Sequence, residues 1–93
     1  MSKILIIEDE VAIRRVLLRI LSEENSNYKV SETEDGVQGI NLVENENFDL
    51  ILCDIKMPKM DGIEVLTQIK KIKPEIPVIM ISGHGDLDTA VHS

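Results

Sequence analysis

The sequence predicts an α/β protein built around a doubly wound parallel sheet, and two observations support this fold class. Short apolar runs alternate with helical periodicities along the whole chain, in the order β-α-β-α-β-α-β-α. Three of the runs, ILII, LILC and VIMI, contain no polar residue, which is typical of strands buried on both faces of a parallel sheet. A chain of 93 residues without repeats or internal linkers fits a single domain with one core.

The first half of the chain predicts two strands and two helices. KILII at 3–7 is predicted to be a buried strand, and YKVSET at 28–33 alternates weakly, as edge strands do. The helix after EDE is predicted to bury Ile13, Val16, Leu17, Ile20 and Leu21, with Arg14, Arg15 and Arg19 on its polar face. DGVQGINLVENE at 35–46 predicts a second helix that buries Val37, Ile40 and either Leu42 or Val43.

The second half repeats this alternation. FDLILC at 48–53 predicts a buried strand and VIMI at 78–81 a further one, which would lie at an edge of the sheet and invite association. DGIEVLTQIKKIK at 61–73 predicts a helix that buries Ile63, Leu66, Ile69 and Ile72. LDTAVHS at 87–93 is typical of the first turns of a fourth helix.

Composition excludes several classes of function. The net charge of −7 and the pI near 4.7 disfavour direct binding to nucleic acid, and one Phe, one Tyr and no Trp leave no platform for stacking bases. The single cysteine, Cys53, cannot form an internal disulfide and indicates a reducing compartment. Since no apolar stretch approaches the length of a membrane span and no leader pattern opens the chain, we expect a soluble, cytoplasmic protein.

Acidic and hydroxyl side chains follow the apolar strands at the points where they end. Glu8 and Asp9 follow the first strand, Asp54 follows LILC, and Ser82 follows VIMI. In an open α/β sheet, ligands bind beyond the carboxyl ends of the strands, near the point where the strand order reverses. If the first and third strands are neighbours, the three carboxylates converge and require a counter-charge. Oxygen ligands without clustered His or Cys favour a hard cation, Mg²⁺ or Mn²⁺.

A carboxylate beside such a cation has the requirements of aspartyl phosphorylation. Asp54 would be the nucleophile, the cation would offset charge on the phosphoryl oxygens, and the Ser82 hydroxyl would donate a hydrogen bond to one of them. Each residue also has a simpler interpretation. The acidic pair could complement a helix dipole, Asp54 could be a turn residue, and Asp61 could cap the third helix.

The chain resembles the receiver domain of bacterial two-component response regulators. Three segments show the resemblance: ILIIEDE, DLILCDIKMPKMDG and VIMISGHGD. The resemblance extends over essentially all of the chain and implies a flavodoxin-like fold with strand order 2-1-3-4. It also implies one receiver domain over residues 1–93 that is incomplete at its C-terminus, since the family's fifth strand and fifth helix have no counterpart.

The resemblance also assigns roles to individual residues. Asp54 would accept a phosphoryl group from a sensor histidine kinase, and Ser82 would be the switch hydroxyl. Mg²⁺ would be held by Asp54, by Asp9 directly, by Glu8 through water, and by the backbone carbonyl of Lys56. Glu8 stands where the family more often has Asp, and the family's lysine and aromatic switch residue on the fifth strand have no counterpart here.

The resemblance implies a signalling domain and not a conventional enzyme. Its partners would be the kinase and an output domain, with ISGHGD similar to receivers attached to ATPase-type transcriptional activators. A haloacid-dehalogenase-like phosphatase is the enzyme alternative, but that family requires a second Asp where this chain has Lys56. The other alternative is an unphosphorylated interaction module that forms a homodimer, or docks elsewhere, through VIMI.

Overall fold

The computed structural model describes residues 2–57 and 60–81. Strands and helices alternate through this part of the chain, with bounds close to those predicted. The strands are β1 (Lys3–Ile7), β2 (Lys29–Thr33), β3 (Leu50–Asp54) and β4 (Val78–Ile81), and the helices are α1 (Val11–Glu24), α2 (Gly36–Asn45) and α3 (Gly62–Ile72). The fourth helix predicted at 87–93 lies outside the described residues.

The four strands form one parallel sheet in the order β2-β1-β3-β4. This order confirms the predicted topology and the edge position of β2. The register pairs Ile7 of β1 with Thr33 of β2 and with Cys53 of β3, and it pairs Asp54 with Ile81 of β4. Because the strands are parallel, all their carboxyl ends lie at the same edge of the sheet.

Alternate residues of the two inner strands face opposite sides of the sheet. Leu5, Ile7, Ile51 and Cys53 belong to a core beneath α2 and α3, together with Val43, Val65 and Ile69. Ile4, Ile6 and Leu52 form a smaller core on the other side, against which α1 packs. The doubly wound arrangement is thus confirmed, with helices on both faces.

Helix α1 packs on the sheet through a narrower stripe than its sequence predicts. Leu17, Leu18 and Leu21 contact the smaller core, whereas Val16 and Ile20 are 57% and 52% exposed. Val16 and Ile20 each precede a packed leucine, and one residue along a helix turns a side chain by about 100°. The predicted burial of Val16 and Ile20 was therefore wrong for the described part of the structure.

Helices α2 and α3 also bury a narrower apolar stripe than their sequences predict. Gly62, Val65 and Ile69 form the buried face of α3, at spacings of three and four residues, while Ile63 lies one position round the helix and is 53% exposed. Val37 of α2 is also exposed, at 52%. The predictions for Val43 and Ile69, which are buried, are confirmed, whereas those for Val37 and Ile63 were wrong, so the inward face of each helix was predicted only in part. None of the described helices is both long and apolar enough to span a bilayer.

Candidate functional site

Three carboxylates meet at the carboxyl edge of the sheet, as predicted. Glu8 and Asp9 follow β1, and Asp54 ends β3, the neighbouring strand. One ligand atom of each lies within 4.8 Å of one ligand atom of the others. Glu8 and Asp54 are each only 1% exposed, and Asp9 is half-buried. Such a group of acids, taken out of water, needs a source of positive charge.

Backbone hydrogen bonds fix the segments that bear these acids. The Glu8 amide donates to the Thr33 carbonyl of β2 at 3.0 Å, and the Glu10 amide donates to Glu8 Oε2 at 3.1 Å. On the other strand, the Lys56 amide lies 3.4 Å from Asp54 Oδ1. The side chains are thus held by the sheet and its loops, which suits a site that must keep a fixed geometry.

The protonation of Glu8 reflects this crowding. The pKa of Glu8 is raised from its usual 4.5 to about 8, mainly by burial. The hydrogen bond from the Glu10 amide opposes the shift, and the nearby Asp9 and Asp54 carboxyls add to it. A bound divalent cation would reverse this shift, because it stabilises the ionised carboxylate.

The donor set fits a magnesium ion. Glu8 Oε1 and Asp9 Oδ1 are buried atoms without a hydrogen-bond partner among the described residues, so the lone pairs of both are available to coordinate a cation. Mg²⁺ prefers oxygen ligands, and a site with carboxylates and no His or Cys ligand matches that preference.

Asp54 is held in place by the start of α3. The Gly62 amide donates to the Ile55 carbonyl at 2.7 Å, and a Cβ at Gly62 would overlap the Asp54 carbonyl oxygen and lie 2.7 Å from the Ile55 Cα. Only glycine permits this approach. Asp61 accepts a hydrogen bond from the Glu64 amide at 2.9 Å, so its predicted helix-capping role is confirmed.

The remaining predicted site residues have different positions. Lys56 lies in the loop after β3, two residues beyond Asp54, with an exposed side chain. The role of its carbonyl as a metal ligand stays a prediction. Ser82 lies outside the described residues, so its predicted role also stays a prediction.

Cys53 faces away from the carboxylates. Its side chain is fully buried in the core beneath α2 and α3, as its neighbouring position to Asp54 in a strand predicts. The pKa of the Cys53 thiol is raised to about 12, mainly by burial and to a smaller extent by the Asp54 and Glu8 charges. This thiol is a packing group.

Sequence reasoning missed the contribution of Arg14. Its Nη1 donates to the Glu8 carbonyl at 2.7 Å, and its Nε pairs with Glu32 Oε1 at 2.9 Å. The helical pattern placed Arg14 on a solvated face, which is correct for Arg19, whose side chain is 82% exposed. The sequence signal that could have indicated this contact is the position of Arg14 in the first turn of the helix that follows the acidic pair.

Comparison with known proteins identifies the family. Residues 4–93 match the family model of the response regulator receiver domain. The chain is 40% identical over 87 residues to the sporulation initiation phosphotransferase F of Bacillus subtilis (strain 168), covering 94% of this chain and 68% of that protein. It is 38% identical over 90 residues to the transcriptional regulatory protein ZraR of Klebsiella oxytoca, covering 97% of this chain but only 20% of that protein.

Solved structures give the same fold. A CheY-like response regulator receiver domain protein from Methanospirillum hungatei JF-1 matches with a TM-score of 0.84 and 36% identity, over 98% of this chain and 71% of that one. The crystal structure of the histidine kinase ThkA in complex with the response regulator protein TrrA contains a chain that matches with a TM-score of 0.82 and 33% identity, over 91% of this chain and 72% of that one. This chain belongs to the response regulator receiver domains of two-component systems.

Proposed function

We propose that this receiver is controlled by phosphorylation of Asp54, with Mg²⁺ bound beside it. The observation that supports this most is the meeting of three largely buried carboxylates, Glu8, Asp9 and Asp54, within 4.8 Å at the ends of adjacent strands. Glu8, Asp9, Asp54 and the Lys56 carbonyl would hold the ion, with Glu8 acting through water.

The proposed reaction is a phosphoryl transfer from a phosphohistidine. An Asp54 carboxylate oxygen forms a bond to phosphorus, the bond from phosphorus to the histidine nitrogen breaks, and the electron pair of that bond returns to the imidazole. Mg²⁺ would offset charge on the phosphoryl oxygens. The product is an aspartyl phosphate, whose phosphoryl group carries about −1.5 to −2 of charge in place of the single negative charge of the carboxylate.

The partners are proposed on the same basis. A sensor histidine kinase would supply the phosphoryl group, and the family resemblance to the chain found with ThkA supports that choice. The relatives that are transcriptional regulators support an output in transcription, through a further domain or a separate protein. Ser82 is proposed to bind a phosphoryl oxygen and to relay the change to that output.

Three related expectations stay predictions. These are a single receiver domain over residues 1–93, a cytoplasmic location and a possible homodimer. The surface considered for the homodimer is β4, whose Ile79 is 51% exposed in the described structure. Light scattering over a range of concentrations would test self-association, and a mass that stays that of one chain would exclude it.

The direct test is the intact mass of the protein after incubation with Mg²⁺ and acetyl phosphate. We expect a gain of one phosphoryl group that disappears when Mg²⁺ is chelated and in Asp54→Asn. Asp49→Asn is the matched control, because Asp49 precedes β3 at its opposite end and the asparagine oxygen can still accept the hydrogen bond from the Lys3 amide. Equal phosphorylation of Asp54→Asn would contradict the assignment of Asp54.

A further inference from the structure

Arg14 links the loop that bears two of the acids to strand β2. Its guanidinium uses separate nitrogens for the Glu8 carbonyl, at 2.7 Å, and for the Glu32 carboxylate of β2, at 2.9 Å. The Arg14 side chain is only 14% exposed and its bond to the Glu8 carbonyl is partly buried, whereas the Glu32 carboxylate that it pairs with is 43% exposed. A partly buried, charge-assisted pair of bonds restricts motion more than an exposed ion pair does.

The carbonyl that Arg14 binds belongs to the peptide unit joining Glu8 to Asp9. Its orientation therefore affects the backbone of both acids. On the other side of Glu8, its amide donates to the Thr33 carbonyl at 3.0 Å. Glu8 is thus tied to β2 on both sides, directly through Thr33 and indirectly through Arg14 and Glu32.

We propose that Arg14 is a positioning residue for divalent-cation binding, acting by holding the Glu8–Asp9 peptide against β2. This inference rests on the proposed function, because it concerns the same cation site. Arg14 does not contact the ion. It keeps the Glu8 and Asp9 carboxylates in the geometry that the ion requires, and Glu32 keeps Arg14 in place.

The charge of Arg14 and its positioning role predict opposite changes in Mg²⁺ affinity when Arg14 is replaced. A cation near a Mg²⁺ site repels the ion, so electrostatics alone would make Arg14→Gln bind Mg²⁺ more tightly. Loss of positioning would make it bind more weakly, as removal of groups that orient metal ligands does. The direction of the change in affinity therefore separates the two roles.

The experiment is calorimetric titration of the whole chain with Mg²⁺, comparing the wild type with Arg14→Gln. We expect the dissociation constant to rise about tenfold in the variant. Lys3→Gln is the matched control, since it removes a 2.8 Å ion pair with Glu46 near the opposite end of β1. That variant should bind Mg²⁺ as the wild type does, even if it is equally destabilised.

Two further variants test the route through Glu32. Arg14→Lys keeps the charge but cannot bridge two acceptors with separate nitrogens in a planar fork, so it should bind Mg²⁺ nearly as weakly as Arg14→Gln. Glu32→Gln alone should weaken Mg²⁺ binding. When it is combined with Arg14→Gln, it should have little further effect on that binding. Full affinity in Arg14→Lys would overturn the proposed mechanism, because the bridge through two separate guanidinium nitrogens would then be unnecessary.

A second readout does not require the metal. Without Mg²⁺, the Glu8 amide should exchange its hydrogen faster in Arg14→Gln than in the wild type or Lys3→Gln. If Arg14→Gln leaves hydrogen exchange at the Glu8 amide unchanged and binds Mg²⁺ as tightly as the wild type or more tightly, the positioning role of Arg14 is overturned. The proposed function is not affected by that result. A wild type that binds no Mg²⁺ overturns the proposed function and this inference with it.

Discussion

Glu8 and Asp54 are the residues that follow Ile7 and Cys53, which are paired in register on neighbouring strands. This single relationship brings two almost fully buried carboxylates side by side, with Asp9 next in the chain. The sheet register, and not a flexible loop, determines the spacing of the acids. Changes of charge in this group should therefore affect both stability and cation binding.

The stability of the metal-free protein should fall as the pH rises from 4.5 to 8. The pKa of Glu8 is about 8 in the folded protein and 4.5 ordinarily, so the folded state holds a proton that the unfolded chain releases in this range. The stabilisation is complete below the lower value and is lost as the pH passes the upper one. Urea unfolding at several pH values, with a chelator present, measures this.

Two comparisons check the origin of that pH dependence. Glu8→Gln lacks the titrating group, so its free energy of unfolding should vary less over the same pH range. Saturating Mg²⁺ should also remove the fall in the wild-type free energy of unfolding with rising pH, because the bound ion stabilises the ionised Glu8 carboxylate. A wild-type stability that rises between pH 4.5 and 8 would show that Glu8 does not dominate.

Asp54→Asn should stabilise the metal-free protein while weakening Mg²⁺ binding. The substitution removes one of the clustered negative charges and keeps the size of the side chain, so we expect a gain of about 1 kcal/mol in the free energy of unfolding near neutral pH. Unfolding and Mg²⁺ titration of this variant measure the two effects. Asp49→Asn, outside the cluster, should show neither, and a loss of stability in Asp54→Asn would contradict charge repulsion as the dominant effect.

Gly62→Ala should destabilise the protein and disturb the loop after Asp54. The added Cβ would overlap the Asp54 carbonyl oxygen, a backbone atom that cannot turn aside as a side chain can. Overpacking of this kind costs about 1–3 kcal/mol. Ile63→Ala, at the next position but 53% exposed, should cost less than about 1 kcal/mol. Urea unfolding measures both, and equal effects would refute the argument from close approach.

The Cys53 thiol should not react in the folded protein. It is fully buried, and its pKa of about 12 leaves almost no thiolate at neutral pH. Ellman's reagent should therefore modify native protein only as fast as the chain unfolds, and should modify it at once in denaturant. Rapid modification under native conditions would show that the core beneath α2 and α3 opens more readily than its packing indicates.

Local sequence patterns were sufficient to predict the strands, whereas the meeting of Glu8, Asp9 and Asp54 also required β1 and β3 to be neighbours, which the family resemblance implied. Apolar runs identify buried strands, and parallel pairing then places the residues that follow them at one edge. The rotation of the helices was less predictable. Ile63 and Val65 are both apolar, and only packing against neighbouring elements decides which one is buried.

The position of Arg14 in the first turn of α1 was a signal, but the sequence did not specify its contacts, for a related reason. An arginine that binds a carbonyl and one that points into water have the same place in a helical pattern. The difference depends on where β2 lies, since β2 supplies Glu32 and Thr33. The raised pKa of Glu8 likewise depends on burial, which the sequence order does not specify.

The two strands that bear the acids are the inner pair of the described sheet, with β2 and β4 outside them. Local fraying begins where the fewest neighbours hold the backbone, which in this sheet means the outer strands. The carboxylates can separate only if β1 parts from β3. Because fraying begins at the outer strands, we expect this step to come last. The mutual repulsion of the acids therefore acts between the two inner strands, and relief of that repulsion by an ion would strengthen the strand pair on which the rest of the described sheet is built.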